Sequence, residues 1–128
     1  MHKPINPPSI GAPGPTYSHG IEVPAAARQL HISGQIGVDA SGRVGRDALE
    51  QAQIAFANVA EILKSAGMST DDLVRIRCYL VSEADLAAFK EARAQFLGAC
   101  KPASSLLIVK ALADPAWRVE VEAVAARS

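Results

Sequence analysis

The chain has 128 residues and a mass of 13.4 kDa, which suits one domain with a buried core. Its 13 Lys and Arg balance its 13 Asp and Glu, with no basic run, so it lacks the positive surface that attracts nucleic acids. Hydrophobic residues make up 49% of the chain but aromatic residues only 5%, and small side chains bury little area each. This composition favours self-association.

The cysteines and histidines do not have the spacing of a metal site. Cys78 and Cys100 form no C-x-x-C pair, so we predict that both are reduced core residues, and no histidines are spaced for zinc. The sequence also contains no dinucleotide fingerprint, phosphate-binding glycine loop or nucleophile elbow. We therefore expect neither a metal nor a cofactor.

Nothing in the sequence predicts a targeting or membrane segment. The first residues, MHKPINPPSIGAPGP, contain no apolar stretch of the kind that signal peptides have. No segment approaches the roughly 18 apolar residues that a bilayer-spanning helix needs. We expect a soluble, cytoplasmic protein with no membrane partner and no nucleic-acid partner.

The first 16 residues are rich in proline, which predicts an extended arm without regular elements, followed by a single domain at 17–128. Two strands are predicted next, YSHGIEV at 17–23 and RQLHISGQIGV at 28–38. The second strand is predicted to place four residues on one face: Leu30, Ile32, Ile36 and Val38. Three polar residues are predicted on the other face: His31, Ser33 and Gln35. Gly34 indicates a bulge or the close approach of a backbone or ligand.

The clearest predicted element is a helix from about 48 to 66. Asp47 and Glu50 form a D-x-x-E start that resembles a capping box, and Gly67 lies where a left-handed C-cap belongs. The hydrophobic residues recur every three or four positions: Leu49, Ala52, Phe56, Val59 and Leu63.

Three strands and a second helix complete the prediction. LVRIRCYLV at 73–81 alternates as a strand, Ser82 begins the second helix, and SSLLIVKAL (104–112) and WRVEVEAVA (117–125) are the last strands. The order β-β-α-β-α-β-β predicts an α+β fold with both helices on one face of a mixed sheet. The other face then needs cover, and another copy of the chain can supply it.

Glu120 is the first candidate for chemistry. The alternation in WRVEVEA puts Arg118, Glu120 and Glu122 opposite the apolar residues of the last strand. Three interpretations stay open: a solvated carboxylate, a member of a charge ladder with its two neighbours, or a proton-transfer group at a seam between subunits.

Other candidates are more ambiguous. Tyr17, where the arm meets the domain, can donate to a ligand or anchor the arm, and Ser33 with Gly34 offers a hydroxyl and an approachable backbone. Arg93 occupies the hydrophobic row of the second helix between Phe89 and Phe96. It can lay its stem on apolar surface and reach outward, or place its guanidinium at an interface to bind an anion.

Several motifs together resemble the RidA/YjgF reactive-intermediate deaminase family, also labelled the L-PSP endoribonuclease family. They are GPTYSHG, ISGQIGVD, AFANVAEILKSAGMSTDDLVRIRCYL, KPASSLLIV and VEVEAVA, and the resemblance runs from about residue 10 to the C-terminus. It implies a chorismate-mutase-like α+β fold that assembles as a homotrimer, with small-molecule ligand clefts between subunits.

The resemblance also implies an activity and its residues. Family members hydrolyse 2-imino or 2-enamino acids, such as 2-aminoacrylate, to 2-keto acids and ammonia. By this resemblance Tyr17 lines the cleft, Ser33 and Gly34 contribute a hydroxyl and backbone groups, and Glu120 positions or activates water.

Two positions depart from the family pattern. Active imine deaminases read Pro-Ala-Arg where this chain has Pro102-Ala103-Ser104, and that arginine binds the substrate carboxylate. A cleft-side asparagine of the second helix falls at Arg93. Either Arg93 restores a positive charge to the cleft, or the cleft has turned to an uncharged ligand or to no turnover.

Two functions of different kinds remain open from the sequence. One is a trimeric deaminase-type hydrolase in which activity on 2-aminoacrylate is weak or absent because Ser104 replaces arginine. The other is a non-catalytic trimer that binds a metabolite. An endoribonuclease is disfavoured, because the chain is neutral and shows no histidine or lysine pair suited to phosphodiester cleavage.

Overall fold

The computed structural model describes residues 2–128, and its first element is a two-stranded antiparallel ribbon. Strand β1 (Lys3–Ile5) pairs with strand β2 (Gly20–Glu22). The strand at 3–5 lies in the arm, for which the sequence predicted no regular element. Pro4 has no backbone N–H to donate. It is compatible with β1 because this strand has a neighbour on one side only, and the position without an N–H can face the other side.

The main sheet has four strands in the order β3-β6-β4-β5. They are β3 (Arg28–Ile36), β4 (Leu73–Leu80), β5 (Ala103–Ile108) and β6 (Val119–Arg127). Strand β6 runs antiparallel to both β3 and β4, whereas β5 runs parallel to β4, so the sheet is mixed. The predicted strand at 17–23 stays outside this sheet, because β2 pairs with the arm instead.

Helices α1 (Ala48–Ser65) and α2 (Leu86–Leu97) pack together on one face of this sheet. The core between the helices and the sheet includes Phe56, Val59, Leu63, Ile76, Phe89 and Val121. The predicted α+β fold, with both helices on one face of a mixed sheet, is confirmed. Among residues 2–128, no helix combines the length and the apolar content that crossing a bilayer requires.

Helix α1 begins and ends as its sequence predicts. The Asp47 carboxylate accepts the Glu50 N–H at 2.9 Å. The returning carboxylate of Glu50 accepts the N–H of Arg46 at 3.0 Å, one residue before the cap, so the box is a variant of the usual pattern. Gly67 follows the helix with a φ of 71°, the left-handed conformation that favours glycine.

A β-bulge in β3 changes the predicted distribution of side chains. The register between β3 and β6 shifts between Ile32 and Gln35. Beyond the shift Gln35 pairs with Val121, and Ile36 pairs with Glu120. The prediction that Ile36 shares a face with Ile32 is therefore wrong, because the extra residue of a bulge moves every later side chain to the opposite face.

The two cysteines differ in burial. Cys78 is fully buried in the core, as predicted, and burial raises the pKa of its thiol to about 12. Cys100 is only partly buried, and its thiol donates to the Asp71 carboxylate at 3.2 Å. Neither is in a disulfide.

Candidate active site

Glu120 lies on the sheet face that the helices leave open. Its neighbours in β6, Val119 and Val121, are fully buried under the helices, so period-two alternation turns Glu120 to the opposite side. The carboxylate lies directly over the bulge, because a Cβ added to Gly34 would be 2.1 Å from Glu120 Oε2. Only a residue without a side chain leaves that space. The bulge predicted for Gly34 occurs, and the group that approaches it is the Glu120 side chain and not a backbone or a ligand.

Glu120 also lines a shallow cavity of about 310 Å³ at one end of the open face. Tyr79 and Glu122 line the cavity beside it, and the segment after β5 closes one side with Val109 and Leu112. Within residues 2–128 the Glu120 carboxylate has no hydrogen-bond or ion-pair partner. It is therefore available to a ligand or to a neighbouring chain.

Glu122, one pleat further along β6, has its partners within the fold. The Tyr79 hydroxyl donates to Glu122 Oε1 at 2.5 Å, and Arg77 Nη1 lies 3.4 Å from the same oxygen. The hydrogen bond to Glu122 raises the pKa of Tyr79, because the carboxylate charge disfavours the tyrosinate. Arg77 and Tyr79 were not singled out from the sequence, since only the β4–β6 register reveals that they face Glu122 and Glu120.

The charge ladder of Arg118, Glu120 and Glu122 does not form. Strand β6 begins at Val119, and Arg118 still belongs to the preceding turn, where its N–H donates to Gln51 Oε1 at 2.8 Å. Its guanidinium instead forms two bonds with the buried Asp85 carboxylate before α2, at 2.9 and 3.1 Å. Arg118 therefore joins the last strand to α2.

Ser33 lies on the open face, next to Gly34 at the bulge. Its exposed side chain lines a cavity of about 260 Å³ together with His31, Arg75, Arg77 and Glu122. Since Glu122 lines both this cavity and the one that holds Glu120, the two adjoin. We refer to Ser33, Gly34 and Glu120 as the bulge group.

Tyr17 lies at a different place, on the outer side of β5. Ser18 forms a parallel bridge with Ala103, and its N–H donates to the Pro102 carbonyl at 3.1 Å. The Tyr17 ring contacts His19 edge-on with centroids 5.9 Å apart. It lines a cavity of about 570 Å³ between the arm and the body of the domain.

Ser104 and Arg93 both lie on the helix-facing side of the β4–β5 pair. Ser104 is opposite Ile76 in the register, and residues opposite each other share a face, so Ser104 turns towards the buried side of the sheet. The guanidinium of Arg93 lies 6.0 Å from the Phe89 ring centroid. Burial raises the pKa of the Cys78 thiol, and the positive charge of Arg93 opposes part of that rise. Tyr17, Arg93 and Ser104 form the edge group.

One chain does not bring the two groups together. Glu120, Tyr79 and Leu107 are aligned across β6, β4 and β5, so Glu120 lies two strand spacings from β5, roughly 9–10 Å. Ser104 is three residues before Leu107, roughly a further 10 Å along the strand, and it turns to the opposite face. Tyr17 and Glu120 likewise line separate cavities. Among residues 2–128, no His, Cys, Asp and Glu cluster is suited to a metal ion.

The protein is a small α+β domain in which the Glu120 carboxylate lies on the open face of the sheet. Its bulge group and its edge group are separate within one chain. The profile of the family described as Endoribonuclease L-PSP matches residues 9–127. The chain belongs to this family, and the resemblance to RidA/YjgF proteins is confirmed.

Named relatives and solved structures agree with this membership. The chain is 38% identical over 117 residues to the human 2-iminobutanoate/2-iminopropanoate deaminase, covering 90% of this chain and 82% of the relative. A Yersinia pestis protein of unknown function, YyfB of the Rid family, has a TM-score of 0.85, 39% identity and 97% coverage of both chains. Escherichia coli TdcF, solved with bound serine, has a TM-score of 0.74, 32% identity and 92% coverage of both chains.

Proposed function

We propose that the chain is a hydrolase of imine- or enamine-type metabolites, acting in clefts between copies of the chain in a homotrimer. The observation that carries the proposal is the position of Glu120, whose carboxylate lies over the side-chain-free Gly34 and has no partner among residues 2–128. Relatives named 2-iminobutanoate/2-iminopropanoate deaminase, and one named a putative reactive intermediate deaminase, support the reaction class.

Assembly follows from the division of the site. The bulge group lies on the open face of the sheet. The edge group lies on the helix-facing side and beyond the outer edge of β5, so a cleft that contains both groups takes one from each of two chains. Strand β5 is at the edge of the sheet and carries Leu107 and Ile108, which are 46% and 45% exposed. Burial of these side chains against a second copy supplies an apolar contact beside the cleft.

The residues suit the hydrolysis of a C=N bond. Water adds to the imine carbon while its proton passes to the Glu120 carboxylate, giving a tetrahedral carbinolamine. The imine enters with its nitrogen protonated, so the carbinolamine is neutral. Glu120 then gives its proton to the carbinolamine nitrogen, the C–N bond breaks and ammonia leaves, while the hydroxyl group passes its proton to the Glu120 carboxylate as the carbonyl forms. Tyr17 of the neighbouring chain and the hydroxyl of Ser33 hydrogen-bond the ligand and fix its orientation.

Ser104 limits the range of substrates. A neutral hydroxyl cannot replace a guanidinium that binds a carboxylate in two places, and the loss of such a charged contact costs about 1.5–3 kcal/mol, or one to two decades in affinity. We expect little or no activity on 2-aminoacrylate, because no guanidinium at position 104 holds its carboxylate in the orientation that the active deaminases use. The same substitution favours the second candidate, a trimer that binds a metabolite without turnover.

An ammonia-release assay tests the proposal. Imines are generated in situ by an amino-acid oxidase from several amino acids, and release is compared for wild type, Glu120→Gln and Ser104→Arg. Turnover by wild type that Glu120→Gln lowers at least 100-fold supports the hydrolase.

Other outcomes decide against parts of the proposal. If wild type is inert and Ser104→Arg is active, the scaffold is competent but the native chain is not this deaminase. If both are inert, the hydrolase is rejected in favour of the binding trimer. If light scattering shows a monomer, the proposal of a cleft shared between chains is rejected.

A further inference from the structure

Arg93 differs from the ion-paired arginines of this protein in having no anionic partner. Five arginines pair with carboxylates: Arg43, Arg46, Arg77, Arg118 and Arg127. Within residues 2–128, Arg93 contacts no carboxylate, and its Nε–H is buried without an acceptor. A buried donor without an acceptor destabilises the fold, so Arg93 costs stability at this position.

The position itself calls for a hydrophobic residue. Arg93 follows Phe89 by one helical turn and precedes Phe96 by three residues. The rings of Phe89 and Phe96 both contact the Phe56 ring of α1, with centroids 5.5 and 4.7 Å away. A leucine would extend this contact. The guanidinium lies near the Phe89 ring face instead of extending into water, a geometry in which the ring attracts the cation. A residue that breaks the local pattern in this way indicates a functional constraint.

The guanidinium remains within reach of a ligand. Arg93 is only partly buried, and of its three side-chain nitrogens only Nε is buried without a partner. Within residues 2–128 the two Nη atoms form no hydrogen bond, and they are not among the buried atoms without a partner, so they are accessible. A carboxylate that binds one Nη–H is adjacent to the Nε–H, because the guanidinium fork presents these donors side by side. A small turn over the Phe89 ring brings both donors to one carboxylate.

Arg93 also lies on the side of the sheet where Ser104 lacks a charge. Ser104 turns to the helix-facing side of β5, next to Ile76. Arg75 cannot supply the charge there, because it takes the open face and donates to Ser105 at 3.4 Å. Arg93 belongs to α2, which covers the helix-facing side, and its guanidinium lies 6.0 Å from the ring centroid of Phe89 in the core on that side.

We propose that Arg93 binds the carboxylate of the ligand, so that the anion is held from α2 and not from the start of β5. This inference rests on the cleft of the proposed function and adds its ligand class, small monocarboxylates. Because the charge comes from the helix, the space beside Ser104 stays open to the ligand's own side chain. Arg93 determines specificity, while the proton chemistry stays with Glu120.

Direct binding tests Arg93 independently of turnover. Pyruvate, the neutral isostere pyruvamide and L-serine are titrated by calorimetry into wild type, Arg93→Gln and the control Arg28→Gln, an exposed arginine at the start of β3. We expect wild type to bind pyruvate more tightly than pyruvamide. Arg93→Gln should lower the affinity for pyruvate about 10- to 100-fold and remove the preference for pyruvate over pyruvamide. Arg28→Gln should bind all three probes as wild type does.

Two further variants separate ligand binding from folding. Arg93→Leu places a hydrophobe in the apolar row, so it should melt at or above the wild-type temperature while losing pyruvate affinity, a combination that a purely structural arginine does not give. Arg93→Gln with Ser104→Arg returns a guanidinium to the cleft and should regain affinity.

The results distinguish this inference from the proposed function. Arg93-dependent pyruvate binding in a chain that releases no ammonia from any imine upholds the inference and rejects the hydrolase. Turnover that Arg93→Gln leaves with an unchanged KM upholds the hydrolase and overturns the inference. The inference is also overturned if wild type binds pyruvate and pyruvamide equally, or binds none of the three probes at millimolar concentration.

Discussion

Mixing two inactive variants tests whether the site is divided between chains. Glu120→Gln inactivates the bulge group of a chain and leaves its edge group intact, whereas Tyr17→Phe damages the edge group alone. Each purified variant should be nearly inactive in the ammonia-release assay. The two are then unfolded together in denaturant, mixed in equal amounts and refolded, so that subunits combine at random.

The expected recovery follows from the separation of the two groups. Strand β4 lies between β6 and β5, and Ser104 turns away from the face that carries Glu120, so a functional cleft takes each group from a different chain. In a closed ring of three subunits, half of the chains have an intact bulge group and the other half have an intact edge group. Random assembly therefore brings the two intact groups together in about one cleft in four. The mixture should therefore recover about a quarter of the wild-type rate.

A site contained within one chain would give another result. Every chain in the mixture carries one lesion, so no recovery would occur, and the division of the site would be refuted. Wild type taken through the same refolding is the control for yield. A mixture of Glu120→Gln with Ser33→Ala, both in the bulge group, should stay inactive and excludes recovery by any other route.

Three further predictions concern single positions. Gly34→Ala would place a Cβ 2.1 Å from Glu120 Oε2, so the carboxylate must move by more than 1 Å. We expect kcat/KM to fall about 100-fold and the melting temperature to stay nearly unchanged. An unchanged kcat/KM would contradict the role of Glu120. Cys78, whose pKa burial raises to about 12, should resist a thiol reagent at pH 8 until the chain unfolds, as mass spectrometry of the labelled protein will show. The hydrogen bond to Glu122 raises the pKa of Tyr79 above 10.0, so its contribution to stability is present below pH 10 and is lost as pH rises through the folded-state pKa. In absorbance titrations Glu122→Gln should lower the midpoint of Tyr79, and an unmoved midpoint refutes the assigned cause.

Features that depend on nearby residues were predicted well from the sequence. Helix α1 combines an N-cap at Asp47, a regular hydrophobic period and Gly67 at its end, and all three act within one or two turns of the chain. The strand at 3–5 was missed because its partner, β2, lies some 17 residues further on. The proline-rich composition of the arm gives no sign of that pairing.

The bulge shows where a correct local prediction fails to give the tertiary arrangement. Gly34 was predicted to mark a bulge or the approach of a backbone or ligand; the bulge occurs, and the approaching group is the Glu120 side chain. The shift of register that follows cannot be deduced from glycine alone, because it depends on how β3 pairs with β6. The positions of Gln35 and Ile36 were therefore reversed.

The alternation in the last strand could not separate its two glutamates. Glu120 and Glu122 are equivalent in a period-two pattern, and both lie on the open face. The fold distinguishes them through β4, whose Tyr79 and Arg77 bind Glu122 and leave Glu120 over the bulge. Glu122, with its two partners, helps to hold β6 against β4. Glu120, which lies beside Gly34 and has no partner among residues 2–128, is free to transfer a proton. The pairing of β6 with β3 and β4, which no single strand reveals, therefore decides which carboxylate is left available for the proposed proton transfer.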